Sequence, residues 1–243
     1  METLGSVARE GRDRLYPSLT NPNWLVLRRR REIFRKWLAA PKLDSHDLGA
    51  RKLNGRKLDV LDLGGRIQPY RPLLEDRVRR YVAIDLRWTP LVNIVARGEQ
   101  IPLAGGQFDL VICTQTLEFI PEPAVVIAEI HRVLKPGGCL LLSAPSVYPC
   151  ESDSDRWRFL PGSLRQLVAV FGESEIIPEG GSIVGFFRTV NICLNTFVRY
   201  PVLRSIFRWT ICPLLNLSGE LLTRVAGSAN DQFAANYSVW ARK

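Results

Sequence analysis

The chain has 243 residues, 46% of them hydrophobic, which is enough for a sizeable core and excludes general disorder. Its formal net charge of +9 favours an anionic partner, whether nucleic acid, membrane surface or acidic substrate, without choosing among them. The five cysteines, Cys113, Cys139, Cys150, Cys193 and Cys212, are odd in number and form no C-x-x-C, which argues against a disulfide framework or zinc site and for a reducing compartment.

Residues 1–56 read as an N-terminal extension: irregular chain, broken by Pro17, Pro22 and Pro41, around one basic helix, WLVLRRRREIFRKWL, at 24–38. Glu2, Arg9 and Glu10 interrupt the opening stretch, which therefore lacks the apolar run of a signal peptide, and a cytoplasmic location is expected. The arginines at 28–31, with Arg35 and Lys36, read as a solvated face, a nucleic-acid patch or, beside Leu25, Leu27, Ile33, Phe34 and Trp37, a helix for an anionic membrane surface.

From residue 57 the pattern changes. Apolar strands LDVLDL (58–63), YVAIDL (81–86), LVNIV (91–95), FDLVICT (108–114) and CLLLSA (139–144) lack polar alternation, and the helix PAVVIAEIHRVL separates the last two before KPGG. Such strands are covered on both faces, so a doubly wound α/β sheet is expected over a core of 57–182. A polar loop, a helix SLRQLVAVF and a short strand near SEIIP follow. Residues 183–230 read as an amphipathic helical insertion, with Ile183, Phe186, Phe187, Val190, Leu194, Phe197 and Val198 on one stripe and Arg188, Asn191, Asn195 and Arg199 on another. Its longest uncharged runs, of ten and eleven residues, are too short for the ~20 of a membrane span. Residues 231–243, with ANYSVWARK, supply a closing strand.

The chemistry concentrates at the strand ends. Asp62, Gly64 and Gly65 end the first strand, and Asp85, 23 residues beyond Asp62, ends the second. Glycines let a turn adopt positive φ and admit a ligand close to the backbone, and an acid at that distance suits ribose hydroxyls, so the pattern fits an adenosine-type cofactor. No G-K-[ST] follows, which argues against a P-loop. Arg66 is the anomaly: it brings a cation into a turn where small residues would be comfortable.

In their order, VLDLGG, PYRPLL, YVAIDL, GEQIPLAGGQFDLVICTQTLEFIPEP and AEIHRVLKPGGCLLLSAPS resemble the class I S-adenosylmethionine-dependent methyltransferases, type 11 methyltransferase domain, over about residues 58–146. The resemblance implies a Rossmann-like seven-stranded sheet, mostly parallel with an antiparallel last strand. It also implies S-adenosyl-L-methionine as cofactor, held by Asp62, Gly64, Gly65, Asp85, Leu86, Glu99, Gln100, Thr114 and Gln115, and no metal. DRWRFLPGSLRQLV resembles a subgroup that acts on sugar or lipid-linked glycan acceptors, so a small-molecule or glycan-type acceptor is expected. Three positions depart from the family pattern: Arg66 replaces a glycine, Arg97 an acid that meets adenine, and Phe119 a histidine. One lost adenine hydrogen bond costs about 1.5–3 kcal/mol, which weakens binding without abolishing it. The alternative is a catalytically impaired relative serving as a partner- or membrane-binding module. A nucleic-acid substrate is disfavoured, because TQTLEFIPEP stands where an N-P-P-[YF] segment would be needed. If the acceptor is a hydroxyl, Glu151, Asp153 and Asp155 are the candidate bases, with turn and capping duties as the plain alternative. His131 reads as a half-exposed helix residue.

Overall fold

The computed structural model describes residues 2–39, 57–150, 152–227 and 230–243. Seven strands form one sheet: β1 (Leu58–Leu63), β2 (Val78–Asp85), β3 (Ile94–Val95), β4 (Phe108–Thr114), β5 (Leu134–Pro145), β6 (Glu173–Pro178) and β7 (Asn236–Arg242), in the order β3-β2-β1-β4-β5-β7-β6. β7 alone runs against its neighbours, pairing antiparallel with both β5 and β6. This is the doubly wound, mostly parallel sheet that the sequence predicts. β1 lies between β2 and β4, so the strand order reverses beside it and a crevice opens at the carboxyl ends of these strands.

The helices are α1 (Leu4–Leu15), α2 (Trp24–Leu38), α3 (Pro123–Val133), α4 (Pro161–Leu167), α5 (Ser182–Phe197), α6 (Pro201–Trp209) and α7 (Ile211–Ala226). On one sheet face α3 presents Val126, Ile127, Ile130 and Val133, at helical spacing, to Leu61, Val111 and Leu140. The other face is covered in an unexpected way. The connection from β1 to β2 contains only a 3-10 turn, Arg71–Arg77, and α2 from the N-terminal segment supplies the missing layer. Phe34, Trp37 and Leu38, spaced i, i+3, i+4, pack on Val60, Leu110, Ile112, Leu141 and Trp240.

The described residues before 57 thus include a second helix, α1, ahead of the one that the sequence pattern suggests. α1 is hidden from a hydrophobicity scan because it is short and mostly polar; Thr3 and Ser6 close a capping box at its start, and only Val7, Gly11 and Leu15 are buried. The arginines at 28–31 are neither a free basic patch nor a solvated face, whereas Arg35 and Lys36 are exposed. Arg30 is buried against Glu179, Arg29 and Arg28 reach Glu220 of α7, and Arg31 donates to the Leu15 carbonyl. The apolar residues Leu25, Leu27, Phe34 and Trp37 are buried as well, which rules out α2 as a membrane-lying helix.

Between β6 and β7 the chain inserts α5, α6 and α7. Gly185 of α5 sits so close to the Phe233 carbonyl that a Cβ would collide with it, which fixes α5 against the approach to β7. Among the described residues no helix is long and apolar enough to cross a membrane.

If α2 is a structural layer, Phe34→Ala will lower the unfolding free energy by about 3–5 kcal/mol in a denaturant titration. Phe34 is fully buried and meets Tyr70 edge-on at 4.8 Å between ring centroids.

Candidate active site

β1 ends in a tight turn. Gly64 has φ +81, and the amides of Gly64 and Gly65 both donate to the Ile84 carbonyl, at 2.8 and 3.2 Å. A Cβ on Gly64 would strike the Thr116 hydroxyl, and one on Gly65 would press on the Asp62 carboxyl. The glycines therefore bring the turn close to both neighbours and leave a hollow above it. That hollow is part of a cavity of about 900 Å³ over the carboxyl ends of β1, β2 and β4.

Of the residues expected to hold a cofactor, Gly64, Asp85, Leu86, Glu99, Thr114 and Gln115 border the cavity. Asp85 uses Oδ1 to accept from the Arg87 amide at 2.8 Å. Gln115 has φ +52, a strained value for a side chain, and its amide group reaches Ser143 Oγ and Asn236 Oδ1, each at 3.2 Å. Asp62, Gly65 and Gln100 lie off the cavity wall. Asp62 is buried beneath the turn, where it accepts from Tyr81 Oη at 2.7 Å, so it shapes the turn from below.

The expected acids fare differently. Glu151 lies outside the described residues. Asp153 is exposed and off the cavity wall. Asp155 borders the cavity, but both of its oxygens accept from Arg158, at 2.5 and 2.7 Å. Glu118, which follows Leu117 at the cavity wall, is 5% exposed and its Oε2 has no hydrogen-bond partner among the described residues. Burial raises its carboxyl to about pH 7, against a weaker pull from its own backbone amide and Arg30. Burial likewise raises Asp62 to about 7. His131 is half-exposed and edge-on to Phe171, far from this role.

Arg66 has a clear destination. Its guanidinium grips Glu10 of α1 with Nη2 at 2.5 Å and Nη1 at 3.2 Å, and Glu2 lies 3.7 Å away. α1 can come this near because Gly11 faces the Ile67 carbonyl with no side chain between them. The cation in the glycine turn is thus matched by an anion on the helix that lies over it. Arg97 and Phe119, the other departures, border the cavity; Arg97 has no ion pair among the described residues.

Sequence reasoning missed the far wall. Arg30 uses Nε to bind both oxygens of Glu179 (2.8 and 2.9 Å), and Glu179 also accepts from Ser143 Oγ and Ser238 Oγ. Arg188 of α5 donates to Asn23 Oδ1 and the Val147 carbonyl and lies over the Tyr148 ring. Arg14 of α1 borders the same space and forms no ion pair among the described residues. The only sequence signal was an excess of arginine in segments that looked like surface helices.

A glycine turn at the reversal point, an acid ending β2 and a seven-stranded sheet with one antiparallel strand together define the fold of the class I S-adenosylmethionine-dependent methyltransferases. Residues 61–142 match the family described as a methyltransferase domain. Over 62 residues the chain is 44% identical to the ubiquinone biosynthesis O-methyltransferase of Pseudomonas aeruginosa (strain LESB58), covering 26% of this chain and 24% of that protein. With the protein of the same name from Dechloromonas aromatica it shares 31% over 97 residues, 40% of this chain and 32% of the relative. The chain thus spans about a quarter to a third of these curated relatives. Two solved structures are similar along nearly the whole length. One is the [4+2]-cyclase SpnF (TM-score 0.53, 15% identity, 99% of this chain and 96% of that one). The other is a SAM-dependent methyltransferase from Archaeoglobus fulgidus (0.52, 13%, 92% and 95%). At such identities the likeness is one of fold.

Two measurements test this construction. Gly64→Ala must place a Cβ at positive φ against Thr116, so it will cost about 1–3 kcal/mol of stability and weaken S-adenosylhomocysteine binding in a thermal-shift titration. Glu118 carries a proton up to about pH 7 when folded but ionises near its ordinary 4.5 when unfolded, so its contribution to stability falls as pH rises through that window and stays lost above it. Glu118→Gln should therefore be more stable than the parent at pH 8, by on the order of 1–3 kcal/mol, with the difference vanishing below about pH 4.5 in parallel denaturant titrations.

Proposed function

We propose that the protein transfers a methyl group from S-adenosylmethionine to a small-molecule acceptor in the cytoplasm. The observation that carries this reading is the open hollow over Gly64, bordered by Asp85, with the Arg66 charge drawn off to Glu10. The residues present fit the cofactor: the turn admits a close ligand, Asp85 has an oxygen left for ribose hydroxyls, and Leu86 offers an exposed apolar surface beside it. When bound, the cofactor supplies a sulfonium-activated methyl group. The chain's own task is to orient the acceptor and to take its proton.

For the proton we assign Glu118, a cavity-wall carboxyl with an unshared oxygen, ahead of Asp155, whose oxygens are engaged by Arg158. The role of Asp155 in this reading is to hold Arg158 and the loop in place. Arg14 and Arg97, which border the cavity and form no ion pair among the described residues, favour an acceptor carrying a phosphate or carboxylate, a description that covers a sugar phosphate or a lipid-linked glycan. Its partial similarity to ubiquinone biosynthesis O-methyltransferases also favours a small molecule methylated on oxygen.

Calorimetry with S-adenosylhomocysteine should give a saturable isotherm, and Asp85→Ala should weaken it at least about tenfold through lost charge-assisted hydrogen bonds. No heat up to millimolar ligand would overturn the reading. With an accepted hydroxyl substrate, kcat/KM should climb with pH through about 7 as Glu118 loses its proton, and Glu118→Gln should lower it by about 10²–10⁴ and flatten the rise.

A further inference from the structure

The helical insertion is built inside out. The inward side of α7 carries Cys212, Asn216, Gly219 and Glu220. Asn216 donates to the Leu19 and Asn21 carbonyls and accepts from Asn191, and Glu220 receives Arg29 and Arg224. Its outward side carries Leu214, Leu217, Leu221 and Val225, spaced by three and four residues and between half and four-fifths exposed. A water-facing helix has the opposite arrangement. α6 continues the surface: Val202, Leu203, Ile206 and Trp209 are exposed on one side, while Arg204 and Arg208 follow the other, and Phe207 alone is buried. Phe197 and Tyr200, at the turn into α6, are nearly three-quarters exposed. Single exposed apolar residues are ordinary, but an exposed apolar strip on each of two successive, mutually packed helices is not.

From this surface we infer that α6 and α7 bind the face of an anionic lipid bilayer, lying in its plane. Charge selects this occupant. The insertion holds five arginines, Arg188, Arg199, Arg204, Arg208 and Arg224, against a single acid, Glu220, and that acid points inward. Arg199 and Arg208 have no acid partner among the described residues, so the insertion carries uncompensated positive charge beside its apolar residues. A second copy of the chain would set arginine against arginine with no acid to answer it, which disfavours a symmetric pair. The helices are too short and too charged to span, so attachment is interfacial. The surface exists whether or not the cavity binds a methyl donor.

The test uses the full chain with vesicles of phosphatidylcholine alone or mixed with phosphatidylglycerol. Co-sedimentation should appear with the anionic vesicles, weaken with added salt and fall at least about tenfold with neutral ones. Trp209 emission should move to the blue on binding, and the Trp209→Phe chain should lack that change. Leu217→Glu with Leu221→Glu, both exposed positions, should retain the parent's circular dichroism and unfolding midpoint but lose vesicle binding. A chain that stays in the supernatant with both vesicle types overturns the inference. So does a stable dimer in light scattering that the double substitution returns to monomer, since the strip would then be covered by a second copy.

Discussion

The buried pair of Arg30 and Glu179 holds the rest together. Glu179 is fully enclosed, and around it meet α2 through Arg30, β5 through Ser143 and β7 through Ser238. Burial by itself would pull the Arg30 guanidinium down; Glu179, with help from Tyr70, instead holds its pKa above the ordinary arginine value, so the pair stays ionised. Taking both charges out of water is expensive, and such pairs break even only when every lone pair and proton is met. Here the Ser143 and Ser238 hydroxyls both donate to Oε1 of Glu179, and Nη1 of Arg30 reaches the Tyr70 hydroxyl at 3.4 Å. Loss of either partner would leave an uncompensated charge at the point where helix, sheet and cavity wall join.

That junction explains why the N-terminal segment is inseparable from the site. α2 covers the sheet face that the β1–β2 connection leaves bare, and its Arg30 reaches the cavity from behind. α1 then lies over the glycine turn, with Gly11 against the loop and Glu10 on Arg66. The helices that bring arginine to the far wall lie outside the part of the chain that matches the methyltransferase domain. The glycine-turn side of the cavity therefore lies within the part of the chain that matches the methyltransferase domain, and the opposite side is built by segments outside that match. The likeness to a cyclase with the same fold makes the point that chemistry follows the side chains in the site.

The sheet was legible because its strands are continuous apolar runs, and the antiparallel last strand followed from the family resemblance. Gly64, Asp85 and Thr114 were legible because turn and strand end fix them locally. Three things were not. α1 has too few buried residues for a periodic signal, so a capped polar helix looked like loop. The arginine run of α2 looked like surface because its partners, Glu179 and Glu220, are about 150 and 190 residues distant in the chain. Glu118 stood in a recognised motif, but nothing local reveals that one of its oxygens is buried without a partner among the described residues. Arg66 raised the right question, and only the packing of α1 could answer it.

The bare connection after β1 has an electrical consequence. Where an α-helix opens at such a glycine turn, its aligned peptides lend the spot about half a positive charge that no side chain can neutralise. Here no α-helix opens, and the local field comes from Arg66, a whole charge met by Glu10, both partly open to solvent. Mobile ions damp such a field over about 8 Å at physiological ionic strength. The potential above the turn therefore rises and falls with the salt around it, which a helix dipole fixed in the backbone would do less.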